Sequence, residues 1–418
     1  MAGKETITYT PATSTHYGDM DEFAQHKPDR AMIIGSGIAG MAAALCLSKA
    51  GIEAVIYESR TSSRDSSGSF FGIHPNGRDV LETLDIADSV LAGGIATREF
   101  HFSNHKRSLA TIPTDIVTIE RGAVARGLLA EAVNRDIDIQ YNKKLTTVDQ
   151  NENQVMASFE DGSRAYGAYL IGADGIHSKA RRAVFGESPR PYYSGMVRSS
   201  AITENVLGIK PTYGTTNMIM GRNAFFSYLV RQDGYINWFS NRFDIQEPLR
   251  GEIEAIQQAD WKADLLHLYE DDNPIIKAII AATDVQIQKY PVYDMPLIDN
   301  WHKERICLIG DAAHTPSSKA GQGASMALED AIIIAKCLRD MPDPPQAFAT
   351  FESLRKPRVE ALLRKTRKST DSRTPRTVVG RFIADLFLPI DLKIANQTTR
   401  RMYNYHVNWD ELVKTNKH

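Results

Sequence analysis

Residues 31–58 read AMIIGSGIAGMAAALCLSKAGIEAVIYE, and this stretch decides the fold. Ala31 to Ile34 form a short apolar run that fits a buried parallel strand. Met41 to Ala50 is a strong helix former ended by Gly51, and Ala54 to Tyr57 supplies a second strand. Together they make a βαβ unit of about thirty residues. The turn between first strand and helix is GSGIAG, with glycines at Gly35, Gly37 and Gly40. At Gly35 the absent side chain permits a tight turn, and at Gly37 it lets the backbone approach a pyrophosphate. At Gly40 it allows close packing of helix on strand. The helix N-terminus then offers unpaired N–H groups and the positive end of its dipole to phosphates. Glu58 ends the second strand, where a carboxylate can accept hydrogen bonds from an adenosine ribose.

Working outward, helical patterns cover Val80 to Leu91 and Val124 to Asn134, and a DGS turn at Asp161 to Ser163 leads into a strand at Tyr169 to Ile171. From about Pro189 to Ile287 the character changes to aromatic-rich alternating segments such as NAFFSYLVRQDGYINWFS, with a DG turn at Asp233 and Gly234. That pattern predicts an antiparallel sheet. A buried strand at Arg305 to Ile309 and a helix at Ala324 to Leu338 then restore the α/β pattern, so the sheet reads as an insertion in a discontinuous first domain. The basic, then apolar stretch after Thr366 includes RFIADLFLPIDLKIAN, expected to be helical and interrupted at Pro389.

Two further motifs carry chemistry. LIGADGIHSKARR holds Asp174, Gly175, Ser178 and Arg181, and ICLIGDAAHTPSSKAGQGASMALEDA holds Asp311 at a strand end and Gly321 to Gly323 at a helix start. An Asp so placed can bind the hydroxyls of a flavin's ribityl chain. Glycines at the helix start let backbone amides approach the ring, whose reduced form is anionic near its pyrimidine edge.

In this order and spacing, GSGIAG, GADGIHSKAR and GDAAH…GQG resemble the class A flavoprotein monooxygenases, the aromatic-hydroxylase type, over roughly residues 30–367. The resemblance implies an α/β fold: a Rossmann-like FAD-binding domain with an inserted antiparallel β-sheet substrate domain and C-terminal helices. The expected boundaries are a flexible tail at 1–29, the first part of the FAD-binding domain at 30–187 and the substrate-binding sheet at 188–287. The second part of the FAD-binding domain follows at 288–365, and a C-terminal helical segment at 366–418. It further implies that Glu58 holds the adenosine ribose, Asp311 the ribityl chain, and the backbone from Gly321 through Gly323 to Ala324 the isoalloxazine. Arg121, in IERGAVARGLL, matches a family arginine that contacts the cofactor; Gly72, before the pair Pro75-Asn76, is an expected backbone contact, and Asp174 belongs to the same cofactor set. One departure is visible: the family usually has proline four residues after the His of GDAAH, where this chain has Ser318, with Pro316 two residues earlier. His314 invites assignment as a base, but no partner acid is evident in the sequence, so packing or hydrogen bonding in the loop is the expected role.

No second glycine fingerprint accompanies a second βαβ unit, so NAD(P)H is expected as a transient co-substrate. In the resembling family it reduces the flavin and leaves, after which a flavin C4a-hydroperoxide delivers one oxygen of O2 to the substrate. A reductase of the same superfamily, without oxygen insertion, is the alternative. A halogenase is disfavoured because WxWxIP is absent, the nearest stretch being Ile236-Asn237-Trp238-Phe239. An aromatic or polyketide-like substrate is expected over the middle sheet, whose aromatic residues include Phe225, Phe226, Tyr228, Tyr235 and Trp238, most of them necessarily core because strand side chains alternate. Arg198, following Tyr193-Ser194-Gly195, is the candidate catalytic residue: some relatives have a substrate-activating arginine there, and a guanidinium stabilises a phenolate or binds a carboxylate. The competing reading is a surface arginine.

Composition excludes other classes. With 49 Lys+Arg against 51 Asp+Glu, a net charge of -2 gives no footprint for nucleic acid. Cys46, Cys307 and Cys337 are odd in number and lie in apolar patterns, so they read as reduced core residues and no metal site is expected. No apolar run nears the ~18 residues of a membrane span, and the N-terminus lacks a signal peptide's order. A soluble, cytoplasmic protein without membrane association is expected; oligomeric state is not encoded in any motif.

Overall fold

The computed structural model describes residues 30–62, 70–104, 106–187, 189–204, 206–243, 246–315, 321–371 and 403–413. The expected tail at 1–29, Pro316, Ser318 and the expected helix around Pro389 lie outside the described residues.

The chain begins with strand β1 (Ala31–Ile34), helix α1 (Ile38–Lys49) and strand β2 (Ala54–Tyr57), as the glycine fingerprint requires. Next come β3 (Phe70–Ile73), α2 (Pro75–Thr83), α3 (Ala87–Val90), β4 (Ile95–Asn104), β5 (Ser108–Glu120) and α4 (Arg121–Asn134). The single helix expected over Val80 to Leu91 is two, because Asp85 takes a left-handed φ of 62° that breaks the helical path between α2 and α3. Strand β6 (Asp138–Gln140), the meander β7 (Leu145–Gln150), β8 (Val155–Phe159) and β9 (Arg164–Gly167), strand β10 (Tyr169–Gly172) and helix α5 (Ala180–Phe185) follow. The DGS turn joins β8 to β9.

The middle third supplies β11 (Tyr192–Thr203), β12 (Thr215–Met220), β13 (Ala224–Val230) and β14 (Ile236–Phe243), then helices α6 (Glu252–Ala255), α7 (Gln258–Leu268) and α8 (Pro274–Ala281), and strand β15 (Gln288–Asp294). The last elements are β16 (His302–Lys303), β17 (Ile306–Leu308), α9 (Gly323–Asp340) and α10 (Pro344–Asp371).

Two large sheets result. The first has order β16-β17-β10-β1-β2-β6 and is parallel except at its β16 edge. Every residue of β1 and β10 is buried, which explains their unbroken apolar sequence. Helix α1 packs against α4 and α9, so the first and third motifs meet across its surface. The second sheet has order β15-β11-β14-β13-β12-β4-β5-β3. Its membership corrects the expected boundaries: β3, β4 and β5 come from residues 70–120, β15 lies beyond 287, and residues 252–281 are helical rather than sheet. Nor is it wholly antiparallel, since β12 runs parallel to β4.

One face of this sheet is closed by α6, α7 and α8, whose Trp261, Leu265, Ile276 and Ile279 pack on Val197, Ala201, Phe226 and Trp238. Helix α10 is described through Asp371, so most of the helical segment expected at 366–418 lies outside the described residues, and residues 403–413 form a largely irregular strap across the first domain. Arg339 lies over the Trp409 ring, Arg358 over Tyr405, and Asp79 accepts from the Val407 amide.

Candidate active site

The glycine fingerprint divides its labour as steric argument requires. Gly35 has φ 103°, and a Cβ there would lie 2.6 Å from the Ala173 carbonyl oxygen; at Gly40 it would lie 1.9 Å from the Gly35 oxygen. These two positions are closed by protein. Around Gly37 a Cβ would meet nothing within 4 Å, so the open side of the turn is here. No side chain caps α1, and its first-turn amides stay available. At the end of β2 the buried Glu58 carboxylate accepts from the Ser36 amide (2.8 Å), the Ser36 hydroxyl (2.7 Å) and the Arg60 amide (2.9 Å). Burial pushes Glu58 up, but these hydrogen bonds outweigh it and hold the group below the usual carboxylate range. It is therefore an anionic acceptor fixed beside the turn.

The second motif packs directly behind the first, its Asp174 Cα lying against Gly35. The Asp174 carboxylate accepts from the Ser178 hydroxyl (2.5 Å) and the amides of Lys179 (2.6 Å) and Ala180 (3.1 Å), capping the turn that opens α5. Buried Arg181 donates to the carbonyls of Ile176 (2.7 Å) and Ala312 (2.9 Å), tying the second motif to the third. Its clamping role was hidden in the sequence because neither acceptor is a side chain.

In the third motif Asp311 lies in a single 3-10 turn, Gly310–Ala312, after β17. Its carboxylate has no hydrogen-bond donor among the described residues. Burial pushes it up from the ordinary value, and the charge of Arg121 opposes that shift. Arg121 is the first residue of α4, where the helix dipole disfavours a cation, and an anion in front of it relieves that conflict. Gly321 has φ 61° and leads into α9, whose N-terminus also lacks a side-chain cap. Gly323 and Ala324 open that helix and are half-buried. Gly72 faces Ile116 across β3 and β5. Directly before Pro75 at the start of α2, a residue unremarked in the sequence completes the loop: His74 is buried, donates from its ring to the Gly321 carbonyl and stands edge-on to Tyr403 at 4.4 Å. Desolvation lowers its pKa to about 4, so it is neutral.

His314 does have a partner acid. Its Nε2 lies 2.6 Å from Asp330 Oδ2, an oxygen that also accepts from the Gly310 amide at 2.9 Å. Burial raises the Asp330 pKa, but His314 and Arg355 outweigh it and bring it to about 2. Arg355 donates to both Asp330 and Glu329, and Glu329 also accepts from Arg358 (2.6 Å) and Asn76 (2.5 Å). This network is fully buried at Glu329, Asp330 and Arg355 and welds the third motif to α2, α9 and α10. His314 is thus hydrogen-bonded within the loop to an acid that sequence reading did not find.

A model of the FAD binding domain family matches residues 30–366. The chain belongs to that family. It is a class A FAD-dependent oxidoreductase, similar to an FAD-dependent urate hydroxylase of Klebsiella oxytoca (28% identical, over 82% of this chain and 90% of the relative). It is similarly close to a 6-hydroxynicotinate 3-monooxygenase of Pseudomonas fluorescens (27% identical, 86% and 95%). A chloroplastic zeaxanthin epoxidase of Nicotiana plumbaginifolia is 28% identical, over 93% of this chain and 65% of the relative. Among solved structures, Klebsiella pneumoniae HpxO with FAD and uric acid superposes with a TM-score of 0.74 at 23% identity, covering 90% of this chain and 93% of that one, which shows the shared fold. The residues of this flavoprotein fit FAD: an open Gly37, two uncapped helix N-termini, a fixed Glu58 and an Asp311 carboxylate still lacking a donor.

In this FAD-binding protein the aromatic residues of the second sheet sort by register. Phe226 and Trp238 stack at 5.5 Å on the helix-covered face, with Tyr228 beside them, and Tyr235 is exposed. Of the five named from sequence, Phe225 alone lies on the opposite face, together with Phe239, which sequence reading passed over. Arg198 shares that face. Its Nε donates to Asn241 Oδ1 at 2.9 Å, and its guanidinium lies 4.9 Å from the Phe239 ring centre, so it is a held, half-buried group and not a loose surface arginine. Phe239 in turn meets Phe70 at 5.9 Å, and Phe70 opens the strand that carries Gly72 and leads to His74. No helix of the described residues is long and apolar enough to cross a membrane, and no His, Cys, Asp and Glu among them cluster as a metal site.

Proposed function

We propose that this enzyme uses NAD(P)H and O2 to hydroxylate or epoxidise an aromatic or conjugated small molecule lying between the Gly321 loop and the Arg198 face of the eight-stranded sheet. The observation that carries the reading is the path of contacts from Arg198 through Phe239 and Phe70 to the strand entering the His74–Gly321 contact, which joins a cationic, aromatic surface to the flavin loop. Bound FAD supplies hydride acceptance and the activation of dioxygen. The chain's own residues do the rest. The α1 amides and the open Gly37 receive the pyrophosphate, Gly35 and Gly40 set the turn and its packing, and Glu58 takes the adenosine ribose. Asp311 and Arg121 address the ribityl and phosphate region, with Asp174 shaping the loop behind Gly35 and Gly72 lying alongside. The backbone from Gly321 to Ala324 lies at the ring, where a helix N-terminus favours negative charge. Arg198 holds an acidic oxygen of the substrate, and the apolar side chains around it exclude water. Incubation with NAD(P)H, substrate and labelled dioxygen tests the reading: one heavy oxygen in the product supports it, and a product without label assigns the chain to the reductases.

A further inference from the structure

The two faces of the strands β11 to β14 treat their polar side chains in opposite ways. On the helix-covered face the serine and threonine hydroxyls of the central rows have partners: Ser199 accepts from Trp261 Nε1 at 2.9 Å, Ser240 lies 2.6 Å from the Tyr269 hydroxyl, and Thr203 accepts from Trp238 Nε1 at 2.8 Å. On the Arg198 face the hydroxyls of Ser200, Ser227 and Thr216 and the Asn237 amide oxygen have no hydrogen-bond partner among the described residues. Their exposures are only 2%, 0%, 6% and 3%. Buried polar groups are almost always paired, and one left alone destabilises the fold. Four on one face and none in the facing rows is a built arrangement.

Register gives its shape. Ser200 and Ser227 both pair with Phe239, so their hydroxyls flank that ring from either side, roughly 10 Å apart at two strand spacings. Asn237 stands two residues along β14, roughly 7 Å from Phe239. Phe239, Phe225, Met218 and Arg198 on the same face are only half-buried, so the aromatic surface between the polar groups remains reachable. That is the outline of a flat fused-ring molecule carrying several oxygens at its edges.

We propose that the Arg198 face is a binding site for a planar, multiply oxygenated fused-ring compound, its edge oxygens hydrogen-bonded by Ser200, Ser227 and Asn237 and its most acidic oxygen held by Arg198. The inference rests on the reading of this face as the substrate side and names the substrate class it selects: polyphenols or enolised polyketones in preference to apolar or singly substituted arenes. A site that hydrogen-bonds ligand oxygens rejects the analogue lacking them, because its own groups are then left unpaired.

The test uses the FAD-loaded protein without NAD(P)H, read by the shift of flavin absorbance on titration with naphthalene, a naphthol, a dihydroxynaphthalene and a dihydroxynaphthoic acid. Affinity is expected to rise along that series by about tenfold or more per added oxygen engaged. The double variant Ser200→Ala with Ser227→Ala should melt no lower than the parent, since it removes orphaned groups, yet bind dihydroxynaphthalene at least about tenfold more weakly and naphthalene unchanged. Naphthalene binding as tightly as its dihydroxy derivative, an unchanged affinity in the double variant, or no response to any of the four compounds overturns the proposal. The parent series alone is decisive should the variant fail to fold. Selective binding without labelled oxygen in any product would instead sink the monooxygenase reading and leave this site standing.

Discussion

The ground beneath the flavin loop and the helix-covered half of the eight-stranded sheet are both buried and both polar, but they are held together by different means. Under the loop, Glu329, Asp330 and Arg355 form a buried charged network, with His314 hydrogen-bonded to Asp330. In the sheet, neutral hydroxyls pair one to one with indole and phenol groups. Charges buried in a network fail together when one is removed, whereas a neutral pair is lost singly. The loop that must hold a cofactor's reactive ring is accordingly built to be all-or-none, and the sheet that must accommodate a substrate is built from small, separable increments.

Breaking that contrast begins at the fingerprint. Gly40→Ala should give no FAD-containing soluble protein, because the new methyl would stand inside the Gly35 carbonyl. Gly37→Asp should fold and yet bind no FAD, its carboxylate entering open space where phosphates approach. Flavin content and circular dichroism separate the two outcomes, and a folded Gly40→Ala protein with normal FAD would contradict the packing described. Next in size, Arg355→Met removes the cation that two buried carboxylates share and should cost about 3–5 kcal/mol in denaturant unfolding. A loss under about 1 kcal/mol would place the network among ordinary surface pairs.

Acidity probes the same ground. His74 is neutral in the fold, with a pKa of about 4 against an ordinary value of 6.5, so the unfolded chain binds more protons between these values. Its contribution is complete above pH 6.5 and is lost as pH falls toward 4, up to about 3 kcal/mol at 1.36 kcal/mol per unit. Since its ring holds the Gly321 carbonyl, FAD should be released over that window, and His74→Gln should flatten the release curve. An identical curve in the variant would acquit His74. Asp311→Ala should weaken FAD binding about ten- to hundredfold in a folded protein, the equivalent of 1.5–3 kcal/mol for a charged acceptor, as fluorescence titration would report. Smallest of all, Trp261→Phe removes one neutral bond to Ser199 and should lower stability by about 1 kcal/mol without changing FAD affinity. A drop as large as that of Arg355→Met would erase the distinction between the two regions.

The nucleotide half was legible because its signals are contiguous: strand, glycines, helix and Glu58 all fall within one βαβ unit, and local geometry dictates the rest. Of the second sheet the hairpin of β13 and β14 was legible, but not the whole. Its pairing of β12 with β4 joins Thr215 to Glu99, and no periodicity reports a contact made across that separation. Alternation told that most of the named aromatic residues must be core, but which of them face away from it depends on register. Hence Phe225 was recognised and Phe239, its neighbour in space, was not. Asp330 escaped for a related reason. The acids of ALEDAIII look like a solvated turn of α9, and only the burial of both carboxylates turns them into partners for His314 and Arg355. Two adjacent acids inside an otherwise apolar helical run were the available signal.

The strap of residues 403–413 places a time constraint on the making of this enzyme. Tyr403 bonds to Gln322 and backs His74, and Asp79 takes the amide of a residue 328 positions later. The fingerprint, its strand and its helix leave the ribosome early, but one wall of the flavin loop does not exist until these late residues emerge. Stable loading of FAD is thereby postponed until Tyr403 has been made, and a nascent chain stalled before Tyr403 would carry a complete phosphate cradle with an unfinished seat for the ring.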